Sequence, residues 1–408
     1  MILDIINKKR LGKELSYKEL SMIFNGYLNG DVADYQMSAF LMAICINGMT
    51  DEEVFALTKI FIDSGDSLDF SSIDGVKVDK HSTGGIGDKT TLVVAPIVAS
   101  LGIPVVKMSG RGLGYTGGTV DKLKSLEGYK VVLSEREILK QVKDINIVLM
   151  GQTQDLVPMD KIIYRLRDVT ATVSSIPLIA SSIMSKKIAY GADKILIDIK
   201  VGNGALIETK EKAKELSNLM IKIGNIYDRE VRCMITDMNT PLGYTVGNTL
   251  EVLEAIDVLK GKEKNNYFVD ICIDLATEMT SMGLNISREE AKEKVLKSID
   301  DKSAYNKFLD LVKYQGGDIN SLKLSEKTYK IKANKTGVLK KINALEVGKL
   351  SLELGSGRKK LRDKIDRSVG VKLNKLVGEK VEKGEVLATL YVNKTLPEVD
   401  IDKIFTIE

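Results

Sequence analysis

The chain has 408 residues, 44% apolar and 28% charged, the composition of a folded protein with room for two or three domains. Sixty Lys and Arg mixed among 56 Asp and Glu leave a net charge of only +4, which argues against a basic face for nucleic acid. No uncharged apolar run reaches membrane-spanning length, and Met1 leads through Ile2–Ile6 into Lys8, Lys9 and Arg10 without the apolar core of a signal peptide.

Residues 1–65 read as helices. Ser16 with Glu19 and Thr50 with Glu53 have capping-box spacing ahead of helix-period apolar patterns. The segment 33–48 has few charges, so its helix is expected to be buried in a core or against a second subunit. From 76 to about 260 the pattern alternates, with strands predicted at Val76–Val78, Ile103–Lys107, Ile145–Met150, Ile195–Ile199 and Arg232–Ile235. That is βαβ repetition and a largely parallel sheet. Residues 158–192 break the alternation and read as helical. Folded back on the N-terminal helices, they make the helical domain discontinuous and leave a cleft beside the sheet. Residues 262–318 are again helical, with Ser287 and Glu290 at capping-box spacing, and from 328 short alternating runs mark a small module. The expected fold class is therefore α/β: a helical domain, an α/β domain and a small C-terminal α+β module. The expected boundaries are 1–70 and 158–192 helical, 71–157 and 193–327 α/β, and 328–408 β-rich. GEKVEKGEVL resembles a lipoyl-type hairpin turn, but Lys380 and Lys383 lack a clear tip context, so a structural module is expected. Cys45, Cys233 and Cys272 are far apart in apolar runs and read as buried free thiols of a reducing, cytoplasmic compartment.

The chemistry concentrates at Val76–Leu92, VKVDKHSTGGIGDKTTL. A strand that breaks into a Gly and Ser/Thr loop and then enters a helix cradles phosphate, because free N–H groups and the positive helix end converge. His81, the only histidine, lies here beside Lys80, and it is the side chain suited to proton chemistry near neutrality. A second such loop, KMSGRGLGYTGGTVDKLKS, follows the second strand, with Gly110, Gly112, Gly114, Gly117 and Gly118 close together. Ser109 and Thr119 add hydroxyls, and Thr119 stands where an N-cap is expected. Neither loop has dinucleotide or Walker A spacing. Loops after consecutive parallel strands meet at the carboxyl edge of a sheet, where ligands bind.

DKHSTGGIGDKTT, KMSGRGLGYTGGTVDKLKS, YRLRDVTATVSSIPLIASSIMSKK and GSGRKKLRDKID together resemble the pyrimidine-nucleoside phosphorylases, the family that includes thymidine phosphorylase, over essentially the whole chain. The resemblance implies phosphorolysis: inorganic phosphate, as co-substrate, attacks C1′ of a pyrimidine nucleoside and releases base and (deoxy)ribose 1-phosphate. It implies a homodimer formed through the helical domain and no organic cofactor. The phosphate site resembles Lys80, Ser82, Thr91, Ser109 and Thr119, a cation with a ring of donors. The base site resembles Tyr164, Arg167, Ser182 and Lys186, with Arg167 and Lys186 stabilising the departing base and His81 at pyrimidine O2 or near the nucleoside, as a proton donor or a hydrogen-bond partner. A structural potassium ion is implied at Gly87, Lys89, Leu242, Thr245 and Glu254. Lys89 departs from the hydroxyl residue usual there, and an ammonium can replace or repel the ion. Tyr115 is a second departure, standing where histidine is usual. Lys107 goes with the broader members that accept ribose as well as deoxyribose, so uridine, thymidine and deoxyuridine are all expected substrates, with Lys107 near sugar or phosphate. Two enzyme alternatives remain open: a thymidine-specific phosphorylase, and a related phosphoribosyltransferase, which needs carboxylates for magnesium. A third is an inactive nucleoside-binding protein.

Overall fold

The computed structural model describes residues 1–408 except 111, 113, 114, 116, 154, 155, 264, 265, 359–362 and 395. The N-terminal helices are α1 (Ile2–Arg10), α2 (Tyr17–Asn29), α3 (Asp34–Asn47) and α4 (Asp51–Asp63). Of the three predicted capping boxes the two in these helices form in full: Glu19 N donates to Ser16 Oγ at 3.3 Å and Glu53 N to Thr50 Oγ1 at 3.3 Å, while at Ser287 the described contact is Glu290 N to Oγ at 3.1 Å. Glu53 does more than cap α4. It is 2% exposed, accepts from Leu15 N at 2.8 Å and pairs with Lys9 Nζ at 2.7 Å, so one buried carboxylate fixes three segments. α3 buries Met37, Phe40, Leu41, Ala43 and Ile44 but leaves Tyr35, Met42 and Ile46 exposed. Of the two expected settings, a core on every side does not hold: the helix keeps an apolar outer face.

The middle of the chain runs β1 (Val78–Ser82), α5 (Thr90–Ser100), β2 (Val105–Ser109), α6 (Thr119–Leu123), α7 (Glu135–Ile145), β3 (Ile147–Gly151), α8 (Pro158–Val169), α9 (Ile176–Ala189), β4 (Lys194–Val201), α10 (Lys210–Ile226) and β5 (Glu230–Asp237). Each predicted strand exists, though with shifted ends. The largest shift is at β1, which starts at Val78 and includes Lys80, His81 and Ser82. Lys80 is tolerated inside this strand because Asp198 of β4 answers its charge, and Asp198 is shared with Lys200. Among the described residues the strands of this α/β domain pair in two sets: β1-β4-β5, and a parallel pair β2-β3 in register from Val105↔Ile147 to Ser109↔Gly151. Then come β6 (Thr245–Val246), α11 (Asn248–Leu259), α12 (Tyr267–Leu284), α13 (Arg288–Asp300) and α14 (Ser303–Tyr314).

The C-terminal elements are β7 (Thr328–Lys332), β8 (Gly337–Ile342), α15 (Ala344–Leu354), β9 (Gly370–Leu373), β10 (Lys380–Val381), β11 (Val386–Tyr391), α16 (Ile401–Ile404) and β12 (Phe405–Ile407). They form sheets ordered β10-β8-β12 and β6-β9-β11-β7, so β6 enters the second sheet by pairing with β9. Ile86 of the first glycine loop and Val246 of β6 are buried in the apolar core of these elements.

The chain divides into two compact units. The first is Met1–Ser72, Thr153–Ile197 and Thr209–Cys233; the second is Ile73–Gln152, Asp198–Glu208 and Met234–Glu408. All three cysteines are free thiols, but only Cys272 is buried; Cys45 and Cys233 are half-buried.

Candidate active site

In the second unit the two glycine loops close on each other. β1 buries Lys80 at 2% exposure; its Nζ donates to Thr90 Oγ1 and lies 3.5 Å from Asp198 Oδ2. Asp198 in turn holds Lys200 Nζ at 2.8 Å and accepts from Thr236 Oγ1 at 2.7 Å. His81, next along the pleat, is half-buried. Ser82 Oγ donates to Asp88 Oδ2 and accepts from Gly84 N at 3.1 Å. Asp88 Oδ1 accepts from Thr90 N at 3.2 Å and Thr90 Oγ1 at 2.6 Å, so one carboxylate closes the whole turn. Burial alone would raise the Asp88 pKa. Lys80, Lys200 and Lys122 outweigh burial and hold the carboxyl well below the usual range. α5 starts directly after; its N-cap Lys89 gives no side-chain cap, Thr90 N is already held by Asp88 Oδ1, and Leu92 N bonds Lys89 O at 3.0 Å. Thr91 lies in that turn, 8% exposed.

The second loop leaves β2, whose residues are all buried. Lys107 is therefore no surface lysine: it is 5% exposed, and Nζ donates to Met108 O at 3.1 Å. Ser109 ends the strand at 8% exposure, and among the described residues its buried Oγ has no hydrogen-bond partner. Such a hydroxyl marks a place for a ligand or water. Gly118, and not Thr119, is the N-cap of α6; Thr119 is the first helical residue, half-buried. Gly114 lies outside the described residues. Lys122, 1% exposed, ties the loops together: Nζ donates to Asp88 O at 2.6 Å and Gly117 O at 2.9 Å, and pairs with Glu251 Oε2 at 2.9 Å. Asp121 accepts from Gly112 N at 2.7 Å and takes both Arg358 Nη1 and Nη2, at 3.3 and 2.8 Å. Positions 359–362 of the GSGRKKLRDKID stretch lie outside the described residues.

In the first unit, α8 and α9 carry the other set. Lys186 Nζ pairs with Asp160 Oδ2, donates to Ser182 Oγ at 2.8 Å and stands 5.9 Å from the Tyr164 ring centroid. Burial lowers the Lys186 pKa, and Asp160 opposes it. Arg167 is 1% exposed and committed to backbone: Nε donates to Thr172 O at 3.2 Å, Nη1 to Leu178 O at 3.1 Å and Nη2 to Val173 O at 2.7 Å. It thus braces the turn between α8 and α9. Its guanidinium also lies 5.7 Å from the Tyr164 ring centroid. Tyr164, Arg167, Ser182 and Lys186 thus stand together here, and Lys80, His81, Ser82, Thr91, Lys107, Ser109 and Thr119 all belong to the second unit.

The five residues expected around potassium also come together, in the second unit. Lys89 Nζ takes the central place: it donates to Gly87 O and Thr245 O, each at 3.1 Å, and to Leu242 O, and lies 2.9 Å from Glu254 Oε2.

Three family models match in chain order. They are the glycosyl transferase family helical bundle domain over residues 3–65, its a/b domain over 74–305, and the pyrimidine nucleoside phosphorylase C-terminal domain over 338–404. A pyrimidine-nucleoside phosphorylase of Staphylococcus haemolyticus is 48% identical over 400 residues, 96% of this chain and 92% of that protein. One of Bacillus subtilis is 47% identical over 411 residues, 99% and 95% of the two chains. The chain belongs to the pyrimidine-nucleoside phosphorylase family. Among solved structures, anthranilate phosphoribosyltransferase of Thermus thermophilus superposes with a TM-score of 0.61 at 16% identity, over 76% of this chain and 99% of that one. The Saccharomyces cerevisiae enzyme with PRPP and Mg gives 0.59 at 14% identity, over 77% and 97%. At such identity the likeness is one of fold. Among the described residues no group of three or more His, Cys, Asp or Glu is placed to hold a metal ion.

Within this phosphorylase, sequence reasoning missed the residues that hold the others. Asp160, Lys122, Asp121, Asp198 and Lys200 are each under 3% exposed; Asp121 and Lys122 follow the glycines of the second loop, and the other three lie outside both loops. The available signal was a charge inside an apolar strand or helix, as in ILIDIKV for Asp198 and Lys200. A charge at such a position needs a buried partner.

Proposed function

We propose that the chain catalyses reversible phosphorolysis of uridine, thymidine and deoxyuridine to free base and ribose or deoxyribose 1-phosphate. The observation that carries this is 47–48% identity over nearly the full length to proteins named pyrimidine-nucleoside phosphorylases. Phosphate is the co-substrate, bound by Lys80, Ser82, Thr91, Ser109 and Thr119 with the first turn of α5. Its oxygen forms the bond to C1′ as the C1′–N1 bond breaks, and the electron pair leaves with the base. Lys186 and Arg167 stabilise the base anion, Tyr164 and Ser182 orient the ring, and His81 supplies a proton at O2. The Lys186 contacts support this assignment: Ser182 Oγ and the Tyr164 ring are already beside its ammonium. Arg167 acts at least as much by shaping the turn that its three carbonyl bonds hold.

The chain works in the cytoplasm as a homodimer through the helical domain. The outer face of α3 supports this, with Tyr35 and Ile46 77% and 75% exposed. Among the described residues no helix is long and apolar enough to cross a membrane.

Base release from uridine with phosphate, with arsenate and in phosphate-free buffer tests the reaction. Release is expected only with an oxyanion. Equal rates without one would show hydrolysis and overturn phosphorolysis.

A further inference from the structure

Lys89 stands where the first glycine loop enters α5, and its side chain is 0% exposed. Its ammonium meets three backbone carbonyls, those of Gly87, Leu242 and Thr245, and the carboxylate of Glu254. The ring of Phe268 lies 4.6 Å from Nζ. An ammonium has three protons to give, and four oxygens and a ring face are offered. A dry shell of carbonyls with a single carboxylate is the donor set that dehydrates a monovalent cation. The backbone is shaped around it. Gly87 has φ +74°, and a Cβ there would stand 2.9 Å from Leu242 O and 3.0 Å from Thr245 O. Gly243 has φ +70°, and its Cβ would lie 2.1 Å from Glu254 Oε1. Neither position admits a side chain without opening the shell. Glu254 is fixed in turn by Tyr244 N at 2.8 Å and by Thr245 Oγ1.

We propose that the Lys89 ammonium is a tethered monovalent cation that permanently fills this oxygen shell and makes the enzyme independent of potassium. The potassium ion expected from the resemblance does not fit. Its ligands are the oxygens that Nζ already occupies, and one carboxylate cannot balance two buried positive charges. The shell joins the glycine loop to the segment before α11. Lys89 is therefore a positioning residue: it holds Asp88 and Thr90 in place without any solute.

The test compares melting temperature and phosphate KM in potassium chloride and in choline chloride at matched ionic strength. Wild type is expected to give the same values in both. Lys89→Ser opens the shell. It should melt several degrees lower in choline chloride and regain stability saturably with potassium or ammonium, and its phosphate KM should follow. Lys89→Met, which fills the space with an apolar stem, should melt low in both salts. A saturable potassium response of the wild-type melting temperature would overturn the proposal. So would Lys89→Ser that melts alike in both salts, or a potassium response in Lys89→Met. The wild-type comparison needs no variant, so poor folding of Lys89→Ser leaves the proposal refutable.

Discussion

Lys122→Met removes one ammonium and keeps most of the stem. Two carbonyls, Asp88 O and Gly117 O, then lose a donor, and Glu251 Oε2 loses its ion-pair partner. Lys122 and Glu251 are 1% and 2% exposed, so water does not replace the lost contacts. An uncompensated buried carboxylate costs roughly 3–5 kcal/mol. An orphaned carbonyl adds about 1–3 kcal/mol, less where the loop shifts towards water. Gly247 N still donates to Glu251 Oε1 at 3.1 Å and offsets part of this. The expected loss is about 4–6 kcal/mol. Lys122→Met with Glu251→Gln removes the stranded charge as well and should recover roughly 2–3 kcal/mol, an interaction that a double-mutant cycle measures directly. Urea unfolding followed by circular dichroism and tyrosine fluorescence gives the values, since the chain has no tryptophan. Because Lys122 fixes both glycine loops, phosphate KM should rise at least 10-fold, about 1.4 kcal/mol, while uridine KM stays near wild type. A single variant within about 1 kcal/mol of wild type, or a double variant no more stable than the single, would refute the reading of Lys122 as the link between the loops.

His81→Ala should lower turnover about 10²–10⁴-fold, the usual worth of a positioned proton-transfer group; kinetics within a few-fold of wild type would return His81 to a structural role. Asp160→Asn removes the group that opposes burial at Lys186, so the ammonium loses its proton at lower pH. The alkaline limb of the nucleoside kcat/KM profile should then move to lower pH, and an unmoved limb would mean that Lys186 is not the titrating group. Lys107→Met should depress uridine turnover more than thymidine turnover, because a ribose 2′-OH would lose its partner. Equal losses, or a wild type inert towards uridine, would remove Lys107 from sugar choice.

The helices and strands were legible because their signals are local. Ser16 with Glu19 states where α2 begins, and the capping geometry forms as the spacing demands. The β1 boundary was misplaced because Lys80, His81 and Ser82 look like loop residues until Asp198 and Lys200 of β4 stand beside them. Strand identity there depends on a partner more than a hundred residues away, which no window around residue 80 contains. The cap of α6 slipped by one position for a smaller reason: Gly118 has extended backbone and serves as N-cap without a side-chain acceptor.

Of the candidate site, the ends of strands and the glycine loops were readable and the buried counter-charges were not. Asp160 and Lys122 lie on helices where single charges usually face water, and only packing turns them inward. Arg167 shows the opposite difficulty. Its motif suggests a ligand contact, whereas three backbone carbonyls already occupy its donors. Lys89 was visible as a departure from pattern, but the convergence of four oxygens on its Nζ depends on residues 242–254 returning to the loop.

The pairing of β6 with β9 has a consequence for how such a chain can be shortened or recombined. A cut after α14 would take away the partners of Thr245 and Val246 and leave Ile86, a residue of the first glycine loop, facing solvent. The Arg358 fork would go with it, and Asp121 would keep a charge with no guanidinium to answer it. The C-terminal segment after α14 is thus no cassette that can be exchanged between relatives at a linker. A graft must carry matching residues at 86, 121 and 245–246, and a proteolytic fragment ending near residue 320 should aggregate rather than persist as a smaller enzyme.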